Sequence, residues 1–397
     1  MTTDFAATKR MFHLPDGLIY LDGNSLGPLP LAASARVTET VVAEWGELLI
    51  RGWNKAGWMD MPSRVGDRIA KLIGAEPGHV VMGDTLSIKV YQALASALEM
   101  SDRRVILSDT GNFPSDLYMA QGLCRTLGSD YVLKTVAPEG VVEAIDDSVA
   151  VVMLTEVDYR TGRRHDMAAL SARAHAVGAL IIWDLAHSAG AFPVGVAAGG
   201  ADFAVGCTYK YLNSGPGGPA FIYVAPRHSQ KVRPALSGWL GHESPFAFDR
   251  DYRPGAGIER MRVGTPPILQ LAALEAALDV WDEVDLDDLR AASLALTDRF
   301  IAGIEAACPT LQLVTPREHV RRGSQVSFRH PEGYAIMQAL IADGVIGDFR
   351  APDILRFGFT PLFIGDAEVD GAVAILSRIM ATGSWDKPEF KQRSKVT

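Results

Sequence analysis

Cysteine is scarce. Cys124, Cys207 and Cys308 are the three in a chain of 397 residues, far apart and without a CxxC pair. No histidine sits close to any of them in sequence, so neither a zinc template nor a disulfide framework is expected. An odd, sparse thiol count fits a reducing compartment. Long apolar runs are missing too. The longest is six residues, VAVVML at 149–154, against the ~20 that a spanning helix needs, so no membrane partner is expected. There is no basic surplus: Lys+Arg number 38 against 47 Asp+Glu, a net charge of −9. That balance argues against nucleic acid, which usually leaves a basic stripe on its partners. No repeat with a period of about 20–50 residues is visible, which removes solenoids and propellers. The opening stretch MTTDFAATKRMFHLPDG has no continuous apolar core behind its charges and does not read as a secretory signal. What remains is a cytoplasmic globular chain, long enough for two or three domains of roughly 100–200 residues and for a sizeable core without staples.

The middle of the chain alternates short apolar segments with helical ones. Val105–Leu107, Val149–Leu154, Ala179–Trp183 and Ala220–Val224 are apolar on successive residues, the pattern of strands covered on both faces in a parallel sheet. MAALSARAHAVG, ended by Gly178, is a crossover helix between the second and third of these. Strand, helix, strand in that order predicts an α/β domain with right-handed crossovers. Near residue 265 the texture changes. Thr265-Pro266-Pro267 reads as a helix start with a hydroxyl N-cap, and Leu271, Leu274, Leu278 and Trp281 recur at helical spacing. From there helices mix with short strands such as Gln325–Phe328, a smaller α+β domain, and the polar tail Lys387–Thr397 is expected to fray.

The densest chemical signal lies at residues 181–221. Asp184 ends a buried strand, where open α/β sheets place ligands, and His187 follows on the exit loop. Tyr209-Lys210-Tyr211 comes just after a second apolar segment, Phe203–Cys207, and a glycine-rich loop follows at 214–219. Singly, each has a plainer role: Asp184 as a cap or ion-pair partner, Lys210 as a solvated side chain, His187 as a structural histidine. Together they suit one cofactor. Pyridoxal 5′-phosphate needs a lysine amine for a Schiff base, a carboxylate to keep its pyridine nitrogen protonated, and a ring to stack on its face. Upstream, Gly83-Asp84-Thr85-Leu86-Ser87 precedes a helical stretch, and a helix N-terminus with hydroxyls suits a phosphate. The GPGGP segment alone is weak, lacking the Lys-Ser/Thr of a P-loop.

The segment DLAHSAGAFPVGVAAGGADFAVGCTYKYLNSGPGG resembles the cofactor-lysine region of the kynureninases, fold-type-I pyridoxal-phosphate enzymes of the class V aminotransferase superfamily. YLDGNSLGPLP at 20–30, WGELLIRGWNKAGW at 45–58, FPSD at 113–116, GWLGHE at 238–243 and GTPPIL at 264–269 resemble further blocks of that family, in its order. The resemblance runs from about residue 12 to about residue 380. It implies a large domain with a mostly parallel seven-stranded sheet flanked by helices, plus a smaller α+β C-terminal domain. The implied boundaries are an N-terminal segment at 1–60 packing on the small domain, a cofactor domain at 61–270 and a small domain at 271–397. The implied reaction is hydrolysis of L-kynurenine to anthranilate and L-alanine in tryptophan degradation, with 3-hydroxykynurenine as an alternative substrate. A homodimer with active sites near the subunit interface is also implied.

Residue by residue, the resemblance makes Lys210 the Schiff-base lysine and Asp184 the partner of the pyridinium nitrogen. His187 and Phe113 take the two ring faces, and Asp116 falls in the same cofactor segment. Leu86 and Ser87 match the phosphate side, Tyr209 reaches the phosphate and assists proton transfer, and Thr155 supplies a hydroxyl at a strand end. Trp239 and Thr265 match positions near the phosphate that the neighbouring subunit contributes. Arg356, in DILRFGFTPLF, matches the clamp for the substrate α-carboxylate. No metal is implied. Three residues depart from the pattern. Lys89 is expected to face solvent, and Glu156 and Asp158 make the TEVDYRTG loop unusually acidic, with no role read for them. Two rivals stay open: a cysteine desulfurase, which needs a mobile nucleophilic cysteine in the C-terminal half, and a non-catalytic cofactor-binding regulator.

Overall fold

The computed structural model describes residues 2–393. The apolar runs build a seven-stranded sheet: β1 (Val80–Met82), β2 (Val105–Asp109), β3 (Val132–Val136), β4 (Val149–Thr155), β5 (Leu180–Asp184), β6 (Phe203–Gly206) and β7 (Phe221–Val224), in the order β1-β7-β6-β5-β4-β2-β3. Every pairing is parallel except those of β7, which runs antiparallel to both β1 and β6. The run at 220–224 is therefore buried on both faces as expected, yet not parallel. All seven residues of β4 are buried, because helices cover both sides: α1 (Met61–Ile73), α2 (Leu86–Glu99), α3 (Pro114–Leu127) and α4 (Met167–Ala176).

Beyond the large sheet come α5 (Ile268–Ala277), α6 (Leu286–Ala307) and α7 (Asp366–Thr382). They accompany a four-stranded antiparallel sheet of β8 (Gln312–Leu313), β9 (Gln325–Arg329), β10 (Asp348–Arg350) and β11 (Ile354–Gly358), in the order β8-β9-β11-β10. The N-terminal segment is tied to this end of the molecule: Ile19–Tyr20 pairs in parallel with Val345–Ile346.

Three expectations need correction. Thr265 does not cap a helix; α5 starts at Ile268 with Pro267 at the N-cap. A residue before proline is pushed out of the helical region, and two consecutive prolines hold both Thr265 and Pro266 outside it. Leu278 and Trp281 then fall in a tighter 3₁₀ turn, Leu278–Glu283. Lys89 does not face solvent. It is fully buried on α2, donating to Gln92 Oε1 at 2.9 Å and pairing with Asp84 at 3.3 Å. The tail is not wholly frayed: Pro388–Lys391 is helical, and Phe390 packs against the core. Its last four residues lie outside the described residues.

Candidate active site

Parallel strands bring their C-terminal ends to one edge. Thr155 and Asp184 end β4 and β5 directly opposite each other, and Cys207, Tyr209 and Lys210 follow β6 at the same edge. The Lys210 ammonium donates to His187 Nε2 at 2.9 Å. It also lies 5.9 Å from the ring centroids of both Phe113 and Tyr209. Asp184 accepts the Ala186 N–H at 2.9 Å and has the Thr155 hydroxyl at 3.5 Å. Asp116 reaches Asp184 from the first turn of α3.

Burial sets the protonation pattern. Asp116 is pushed well above the usual carboxylate range by burial first and by the charge of Asp184 second, so of the two acids it is the one that keeps a proton. Burial also raises Asp184, and the Lys210 charge and the Ala186 N–H oppose that shift. His187 is held well below the ordinary imidazole range by burial and then by Lys210, which leaves a neutral ring. Tyr209 is pushed up by Cys207 beside it and by burial, so its phenol is a proton donor near neutrality.

Two helix N-termini meet beside this cluster. Thr85 at the N-cap of α2 and Phe113 at that of α3 make no side-chain cap, so first-turn N–H groups stay available. The Ser87 and Ser115 hydroxyls join them at 2.9 Å, with Leu86 half-buried alongside. Dipole and donors both suit this place to an anion. The N-terminal motif packs against the lysine loop: a Cβ on Gly27 would stand 2.4 Å from the Lys210 carbonyl, so only glycine admits this approach.

Arg356, on β11, is buried at 1% exposure. It donates through Nη1 to the Tyr159 carbonyl at 2.8 Å, and through Nη2 to Ser25 and Asp348. Tyr159 in turn meets Phe113 edge-on, with centroids 5.1 Å apart, which links the arginine to the ring-stacking residue. Trp239 and Thr265 stay outside the cluster within one chain. Trp239 is exposed and touches Phe246. Thr265 lines a small cavity with Gly83, Asp84, Lys89 and Arg262, behind the turn that precedes α2.

Several residues here were not singled out from sequence: Asp22, Ser25, Tyr159, Asp348 and Arg350. The first two lie in the YLDGNSLG block and the last two in the strand pair that carries Arg356, but no local pattern joins the two ends of the chain. The two acids of the TEVDYRTG loop have structural roles. Glu156 is fully buried and accepts from Arg164 Nε at 2.9 Å, and Asp158 Oδ1 caps the turn by accepting the Arg160 and Thr161 N–H groups.

The donor set fits pyridoxal phosphate. His187 Nδ1 and Asp116 Oδ2 are buried without partners among the described residues, polar atoms that a ligand in the cleft can satisfy. An amine, a carboxylate, two rings and an uncapped helix start surround one space, and no cluster of potential metal ligands occurs among the described residues.

The chain is similar to known proteins in both sequence and fold. Residues 289–376 match the family described as the kynureninase C-terminal domain. A kynureninase of Pseudomonas fluorescens is 53% identical, over 99% of this chain and 96% of its own length. Among solved structures, the apo cysteine desulfurase of Thermococcus onnurineus NA1 superposes with a TM-score of 0.81 over 96% of this chain and 99% of its own, at 18% identity. A C-DES mutant with glycine covalently linked to its PLP cofactor superposes with a TM-score of 0.79 over 93% and 98%, at 19% identity. At such identities the two structures speak for the fold alone.

Proposed function

The chain belongs to the kynureninase family, and from that premise we propose how its residues carry out hydrolysis of L-kynurenine to anthranilate and L-alanine. Lys210, Asp184, His187 and Phe113 would hold the cofactor ring, and Ser87, Leu86, Tyr209 and the first turn of α2 its phosphate. Bound pyridoxal phosphate supplies an electron sink that makes the substrate Cα–H acidic and the Cβ–Cγ bond cleavable. Lys210 Nζ takes the Cα proton, with the neutral His187 ring accepting a hydrogen bond from it. Asp184 keeps negative charge facing the ring nitrogen, and Asp116, protonated, steadies that carboxylate. Tyr209, a proton donor near neutrality, serves the γ-carbonyl as water adds there. Arg356 anchors the α-carboxylate with a planar guanidinium, which a point-charge ammonium does not reproduce.

The observation that carries this reading is the convergence of Lys210, His187, Asp184 and Asp116 at one strand edge. The rival desulfurase reading needs a mobile, reactive thiol. Cys308 is instead buried at the end of α6, with its thiol pushed up by burial. Alanine release from L-kynurenine, from 3-hydroxykynurenine and from cysteine, run side by side, tests the assignment; release from cysteine alone would overturn it.

The same reading includes a second copy of the chain, with active sites near the interface, in the cytoplasm. Val42, Trp45, Leu49 and Ile50 expose one apolar stretch, and Trp239, Phe246 and Phe248 another, and clustered exposed apolar residues suit a surface that a second copy covers. Trp239 and Thr265 would reach the partner's phosphate end from there. It also includes the division at residues 60 and 270, for which the separate large and small sheets speak.

A further inference from the structure

Arg356 does not stand alone at its end of the cleft. Asp348 lies directly opposite it in the β10–β11 register, and its Oδ2 also accepts Arg350 Nη2 at 2.7 Å and the Ser25 hydroxyl at 2.7 Å. Asp22 faces the same group. Its neighbours are Tyr20 and Ser25 from its own loop, Asp348 and Arg350 from β10, Arg356 from β11, and Tyr211 from the lysine loop. Burial raises both tyrosines, which therefore stay neutral. Two guanidinium groups thus balance two carboxylates.

Hydrogen counting separates the two acids. Ser25 has one hydroxyl hydrogen, given to Asp348, while its oxygen accepts from Arg356. Asp348 thus takes that hydrogen and both guanidinium groups, the donors that keep it ionised, and Asp22 is the acid left short of them. Its Oδ1 is buried without a partner among the described residues. A substrate carboxylate arriving at Arg356 adds a third negative charge to a balanced cluster of low dielectric.

We propose that Asp22 is a positioning residue of the carboxylate pocket, taking one proton from solvent when the substrate's α-carboxylate settles beside Arg356. Asp348 remains the fixed counter-ion, and Asp22 is the variable one. Burial and the neighbouring Asp348 already push Asp22 up to about 7 in the free protein, and a further anion raises it more. Protons are thus taken up on binding above about pH 7, and by linkage affinity falls as pH rises there, by up to about tenfold per unit.

This inference rests on the reading of Arg356 as the carboxylate anchor. The test is calorimetric titration of the holoenzyme with 3-benzoylpropanoate, which has the carboxylate and aryl ketone of the substrate but no amine to react with the cofactor. Two buffers of different ionisation enthalpy give the protons taken up. Uptake of a large fraction of a proton at about pH 8, little at about pH 5.5, and loss of that uptake in Asp22→Asn support the proposal. A rise in KM above neutrality that Asp22→Asn flattens supports it in turnover. Binding with no uptake at either pH, or uptake unchanged in Asp22→Asn, overturns it while leaving Arg356 as the anchor. Failure of the probe to bind overturns both. The titration of the unaltered protein decides even if the variant does not fold.

Discussion

The Lys210 ammonium donates to a neutral imidazole, that of His187, at 2.9 Å. Burial, Lys210 and the two arginines Arg356 and Arg350 together keep that ring uncharged. A neutral ring can lie against a protonated pyridine without opposing its charge. His187→Ala is expected to weaken binding of pyridoxal phosphate to the apoprotein by about 2- to 13-fold, the ~0.5–1.5 kcal/mol of one ring contact. Quenching of intrinsic fluorescence during cofactor titration measures this, and an unchanged Kd would remove His187 from the ring face.

Arg356→Lys keeps a positive charge beside Asp348 but loses the planar fork. KM for L-kynurenine is expected to rise about 10- to 100-fold, the worth of one charge-assisted hydrogen bond, with kcat changed far less. Steady-state kinetics at fixed pH separates the two terms. A KM within twofold of the unaltered protein would place the carboxylate elsewhere.

Lys89 links pH to stability. Burial lowers its pKa in the folded state against the pull of Asp84. Folding therefore releases a proton wherever the unfolded chain still holds one. Stability lost at lower pH is regained as pH rises toward the ordinary lysine value, at up to about 1.4 kcal/mol per unit. Urea unfolding of the unaltered chain and of Lys89→Met across about pH 7–10 is expected to show the unaltered chain gaining on the variant. Parallel curves would mean that Lys89 keeps its charge without cost.

Ile50 is 78% exposed beside Val42, Trp45 and Leu49. If this stretch carries the proposed second copy, a charge there, as Ile50→Asp, is expected to shift the protein toward single chains in light scattering and to weaken cofactor binding. A variant that stays paired and binds the cofactor normally would move the interface to another face.

The sheet was legible because its signal is local. VAVVML reads as a strand buried on both faces from six consecutive residues, and Asp184 and Lys210 follow such strands closely. Lys89 was illegible for the opposite reason. One lysine near the start of an amphipathic helix reads as solvated, and only the packing of the segment around Met261 across α2, whose carbonyl takes the Gln92 side chain at 3.2 Å, buries it. The Asp22–Asp348–Arg356 cluster joins residues more than three hundred positions apart, so no window of sequence contains it. Thr265 reads as a cap because a hydroxyl followed by proline is a common helix start, but the second proline moves that start to Ile268.

Hydrolysis of L-kynurenine by this chain is proposed to depend on Lys210. The most direct measurement is anthranilate fluorescence on mixing cofactor-loaded protein with L-kynurenine, for the unaltered chain and for Lys210→Ala, with alanine assayed in the same samples. The expected result is anthranilate and alanine in equal amounts from the unaltered chain, and neither from a folded Lys210→Ala. Turnover retained without Lys210 would remove that residue from the reaction, and anthranilate without equimolar alanine would mean a different cleavage.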